Sequence, residues 1–127
     1  MEYIKKAKEW LEFLHLWHLR DECAGNLSGG QMKLLELGRA LMAEPQILLL
    51  DEPVAGVNPT LARKIFEAIQ KIKDDKGITF LIIEHNMDVI MDYSDYVFVM
   101  HRGEIIAKGK PDDVLNNPKV LEAYLGE

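Results

Sequence analysis

Asn26-Leu27-Ser28-Gly29-Gly30-Gln31 reads as a helix start built to meet an anion, and the rest of the chain is organised around it. Ser28 is a good N-cap, and Gln31 stands where a capping box takes Glu or Gln. Gly29 and Gly30 then fall in the first helical turn, where glycine is a poor helix former. Glycine suits that place if something must approach the backbone closely. A helix start offers unpaired N–H groups and the positive end of the helix dipole, which together suit a phosphate. Downstream, Ile47-Leu48-Leu49-Leu50-Asp51-Glu52-Pro53 is an apolar run closed by two acids and a proline. It predicts a strand buried on both faces that carries Asp51 and Glu52 to its C-terminal tip, where open α/β sheets place their ligands.

Working outward, residues 3–19 predict a helix. Ile4, Ala7, Leu11 and Leu14 keep helical spacing, and Trp10, Phe13 and Trp17 widen the apolar stripe. So wide a stripe calls for cover on more than one side, by neighbouring helices or by a partner. His15 and His18 flank it with no metal-type ligand nearby and read as structural. Residues 20–26 form a polar link, and the helix opened by Ser28 runs to about residue 42. Gly38 inside it marks close packing, and Pro45 ends it. A second helix is predicted over residues 60–73, a second apolar strand over 78–83 and a short helix over 87–93. Two more strands, 96–100 and 104–107, flank the turn His101-Arg102-Gly103. Short helices follow at 111–115 and 118–124, each opened by proline. This alternation predicts one α/β domain whose sheet is parallel at least in its first strands.

The 127 residues carry a net charge of −6, which argues against nucleic acid as a partner, since binding it needs a basic face. The single Cys23 cannot form an internal disulfide, which suits a reducing compartment, and it reads as a small core residue. No apolar run approaches the roughly 20 residues of a membrane span. Charged residues break up the first ten positions, unlike a signal peptide. The expected place is the cytoplasm, with any membrane link made through a partner.

Taken together, the Ser28 stretch and the Asp51-Glu52 strand end resemble the signature and Walker B motifs of ABC-type ATPases. The resemblance implies a partial P-loop NTPase fold, the C-terminal half of a nucleotide-binding domain. Residues 1–45 would be its helical signature part, and 46–127 its Walker B and switch-histidine core with C-terminal elements. In that family two subunits clamp ATP between them. The resemblance implies that Ser28, Gly29, Gly30 and Gln31 contact nucleotide held by a second nucleotide-binding subunit. Asp51 would support Mg²⁺, Glu52 would be the general base, and His85 the switch histidine. Asn58 stands in the family's D-loop, where most members have Asp; it keeps hydrogen-bonding capacity without the charge. Together with Glu84-His85-Asn86-Met87-Asp88 and the ending Asn117-Pro118, Glu122-Ala123-Tyr124-Leu125-Gly126, this looks like the ATP-binding subunits of branched-chain amino acid importers. Such subunits sit peripherally on the inner face of the membrane, against transmembrane permease subunits.

One component is missing. The family needs a Gly-rich loop ending in Gly-Lys-Ser/Thr, and none occurs among these residues. The resemblance thus covers about half of a longer domain. Three readings follow: an importer ATPase half active when completed by a Walker A-bearing half, a non-catalytic fragment or interaction module, or the C-terminal half of a DNA-repair-type ABC ATPase. The last group joins its halves through long heptad coiled coils, for which the N-terminal helix here is too short. Strands without their sheet neighbours predict exposed apolar edges and self-association.

Overall fold

A computed structural model describes residues Met1–Gly126. The backbone divides into two compact units, one over Met1–Glu84 and the other from His85 on.

The first unit opens with α1 (Glu2–Phe13). The helix ends six residues short of the predicted span 3–19, because His15 turns left-handed at φ 57°. Two short 3₁₀ turns, Trp17–Leu19 and Ala24–Asn26, then carry the chain to α2 (Gly29–Leu41). No residue of α1 is fully buried; Leu14 and Leu16, just beyond it, are the ones that enter the core. The aromatic stripe is covered from above by cations. Lys71 lies 5.4 Å from the Phe13 ring and Lys76 5.9 Å from Trp10, while Arg20 stands 4.7 Å from Trp17. Cys23 is exposed in the link between the helices rather than packed in the core. That link holds only one-turn helices and has no apolar face to bury. Gly38 does mark close packing: a Cβ there would lie 2.9 Å from Leu14 Cδ1, so α1's end rests on α2.

β1 (Ile47–Asp51) pairs in parallel with β2 (Thr79–Ile83), and α3 (Pro59–Lys76) is the crossover between them. Asn58 caps α3 at its start, Pro59 takes the first-turn position where its missing N–H costs nothing, and Gly77 ends the helix at φ 67°. Ala62, Ile65, Phe66, Ile69 and Ile72 form α3's buried stripe and join Leu37, Leu41 and Ile78 in the core. The register pairs Leu49 with Leu81 and Asp51 with Ile83.

The strands are not buried on both faces, contrary to what their unbroken apolar runs suggest. Ile47, Leu49, Leu81 and Ile83 are 55%, 65%, 52% and 60% exposed, while the alternate residues Leu48, Leu50, Phe80 and Ile82 are half-buried. Side chains alternate between the two faces of a strand. A run that is apolar on both faces therefore needs a layer on each, and the described residues cover one.

The second unit begins before α4 (Met87–Tyr93). β3 (Val97–His101) and β4 (Glu104–Gly109) form an antiparallel hairpin with an irregularity between Val99 and Met100. α5 (Pro111–Leu115) and α6 (Pro118–Leu125) follow. Val97, Val114 and Val120 form the core of this unit, with Ile90, Val99, Ile106 and Ala107 packed on it.

Candidate nucleotide-facing site

The predicted capping box is present. Gln31 N–H donates to Ser28 Oγ at 3.2 Å, and Ser28 N–H donates to Gln31 Oε1 at 2.9 Å. Met32 N–H already bonds to Ser28 carbonyl oxygen at 2.9 Å. The first turn of a helix has orphan donors. Here the cap and the helix use those of Gln31 and Met32, and leave the N–H groups of Gly29 and Gly30. Gly29 is exposed and Gly30 buried. Ser28 is itself exposed, so its hydroxyl hydrogen can also be donated outward.

Asn58 does the same for α3. Its Oδ1 accepts the Leu61 N–H at 2.9 Å, which leaves the side-chain NH₂ as the part that can reach a partner.

Asp51 is the last residue of β1, and Glu52 turns the chain with φ 45°. The Glu52 N–H still donates to Ile83 carbonyl oxygen at 2.9 Å, one step beyond the ladder. Adjacent strand residues point to opposite faces. The left-handed turn at Glu52 takes that residue out of the alternation, so its side chain is not committed to the face opposite Asp51. A non-glycine residue in that conformation costs roughly 1–2 kcal/mol. His15, Glu44 and Arg102 share it, so the strain alone is no mark of function.

Asp51 shares its strand face with Ile47 and Leu49, since these are alternate residues. Across the ladder that face continues through Leu81 and Ile83. The uncovered apolar face of the sheet therefore ends in a carboxylate. Whatever layer covers the face lies against Asp51.

His85 follows Ile83 by two residues, is exposed, and precedes Asn86, whose Oδ1 caps α4 by accepting from Asp88 N–H at 3.1 Å. It is the first residue of the second unit. The structure thus gathers Asp51 and Glu52 at one strand end and sets Ser28 and Asn58 at two helix starts. The part assigned to His85 rests on the resemblance.

Among the described residues, no group of three or more His, Cys, Asp or Glu side chains could hold a metal. Mg²⁺ takes one or two carboxylates and completes its shell with water and phosphate. The exposed Asp51 at a strand end fits that partial role. Sequence reading missed Leu61, whose side chain packs on Gly30; nothing in the spacing of the motifs signals that contact.

A parallel strand ending in two acids and a capped Gly-Gly helix start, on an α/β frame, define part of an ABC-type ATP-binding cassette. Comparison with known proteins agrees. The ABC transporter family model matches residues 2–55, and the model of the branched-chain amino acid ATP-binding cassette transporter family matches residues 104–127. A probable branched-chain amino acid transport ATP-binding protein of Archaeoglobus fulgidus is 51% identical over 98% of this chain and 48% of its own length. One of the same description from Methanocaldococcus jannaschii is 53% identical over 99% of this chain and 50% of its own. The crystal structure of the ADP conformation of an ABC transporter's ATP-binding cassette superposes with a TM-score of 0.91 at 53% identity, covering 100% of this chain and 51% of that one. The chain is similar to ABC transporter ATP-binding proteins over nearly its whole length and spans about half the length of the relatives it matches. No helix among the described residues is long and apolar enough to cross a membrane.

Proposed function

We propose that the chain is the signature- and Walker B-bearing part of the ATP-binding subunit of an importer, with branched-chain amino acids as the solute class. The position of Asp51 at the end of the uncovered β1–β2 face carries this reading. It supports a site whose remaining wall, with the Gly-Lys-Ser/Thr loop, is contributed by polypeptide outside these residues.

In this reading the Gly29 and Gly30 N–H groups and the Ser28 hydroxyl face the γ-phosphate of ATP held by a second nucleotide-binding subunit. Gln31 keeps Ser28 oriented through the capping box. Glu52 takes the proton of the attacking water or orients it, and His85 donates a hydrogen bond toward the phosphate. Asn58 reaches across the subunit interface with its NH₂. Asp51 holds Mg²⁺ through water; when bound, that ion neutralises phosphate charge. Permease subunits are the other partners, and the complex lies on the cytoplasmic face of the membrane.

ATP turnover tests the reading. The 127-residue chain alone is expected to hydrolyse ATP negligibly, and mixing it with a chain carrying the Gly-Lys-Ser/Thr half should restore turnover that Glu52→Gln abolishes. Robust Glu52-dependent hydrolysis by the chain alone would overturn the composite-site claim. No turnover with any such half would favour a non-catalytic interaction module.

A further inference from the structure

Gly29 and Gly30 are neighbours in sequence, and the fold treats them differently. A Cβ on Gly29 would meet nothing within 4 Å. One on Gly30 would fall 1.9 Å from Leu61 Cδ2 and 2.9 Å from Leu61 Cγ. Because Cγ is itself too close, rotating the outer torsion of Leu61 does not clear the space. The whole side chain has to leave.

Leu61 is also the residue whose N–H the Asn58 cap holds at 2.9 Å. Its backbone belongs to the cap of α3, and its side chain fills the space where a side chain on the first turn of α2 would go. One residue later in α2, Gln31 N–H is held by Ser28 Oγ. The two capped helix starts therefore meet where Gly30 packs on Leu61.

We propose that Leu61 is a positioning residue that sets the spacing between the Ser28 helix start and the Asn58 loop, so that a shift of one is passed to the other. The absence of a side chain at Gly30 then answers to Leu61, whereas Gly29 alone is left bare toward the outside. The proposal rests on the reading above that the Ser28 helix start faces nucleotide and that Asn58 reaches across the subunit interface.

A double-substitution cycle on the full 127-residue chain tests the coupling without nucleotide. Gly30→Ala should lower the thermal midpoint by about 5 °C, as overpacking of a buried contact does. Gly29→Ala should not lower it. Adding Leu61→Ala to Gly30→Ala should recover most of the loss. The side-chain NH₂ signals of Asn58, which caps Leu61 and lies away from the substituted turn in sequence, should shift in Gly30→Ala and return in the double variant, a response that a defect confined to the first turn of α2 does not give.

In the assembly completed by a Gly-Lys-Ser/Thr half, Gly30→Ala should lower kcat for ATP more than it raises KM. The double variant should regain about tenfold. Additive effects of Gly30→Ala and Leu61→Ala, or a Gly29→Ala that lowers the thermal midpoint as much as Gly30→Ala does, would overturn the proposal. Coupled stabilities and amide shifts with no ATP turnover by the wild-type assembly would strike the ATPase reading and leave the Leu61 contact standing.

Discussion

Ser28 has two sets of contacts to satisfy. Its Oγ accepts the Gln31 N–H while its own N–H is taken by the Gln31 side chain, so the helix start is held before any ligand arrives. Removing the hydroxyl leaves a first-turn donor without its acceptor. Ser28→Ala should therefore cost about 1 kcal/mol of stability by denaturant titration, with Ser28→Thr close to wild type. Equal stability of all three proteins would mean that the cap is not used in solution. This box was legible from sequence, because it depends only on residues three apart. The Gly30–Leu61 contact was not, because it joins residues 31 positions apart and no local pattern names the partner.

At the scale of elements, α1 shows where periodicity misleads. The stripe from Ile4 to Trp17 keeps helical spacing, yet the helix ends at Phe13 and the chain turns at His15. Leu14, still bonded to Trp10 carbonyl oxygen, is buried at the end of the helix, and past the turn Leu16 is buried as well. α1 is further fastened by an ion pair between Lys6 and Glu44, just beyond α2. The Lys6 ammonium, by hydrogen bond and by charge, holds the Glu44 carboxyl below its ordinary value. A carboxyl with a depressed folded pKa contributes stability above its unfolded pKa, and that contribution is lost as pH falls through the folded value. Glu44→Gln should accordingly be slightly less stable than wild type near neutral pH, with the difference vanishing in acid and shrinking in high salt. Unfolding midpoints across pH would check this, and a gap that widened in acid would contradict it.

For the whole molecule, the decisive feature is the apolar face of β1 and β2. Four large side chains stand more than half exposed on two strands that have no further sheet neighbours among the described residues. Apolar faces and unpaired edges of this kind drive association. The chain by itself should self-associate in light scattering, and Leu49→Lys or co-expression with a Gly-Lys-Ser/Thr half should reduce the association. A monodisperse wild-type monomer would show that the face is tolerated bare.

The amino-acid order by itself determined the elements that rest on short spacings: the capped helix start at Ser28, the strand ending in Asp51 and Glu52, the α3 crossover, and the hairpin at Arg102-Gly103. Those features follow from side-chain chemistry within a few residues, and the motif pair they form was enough to point to the ABC family. Only the tertiary structure decided which strand face stays open, which of two adjacent glycines is packed, and that Cys23 lies outside the core. Each of these depends on what lies across space from a residue. An apolar run states that cover is needed, and only the packed chain shows whether a layer is there to provide it.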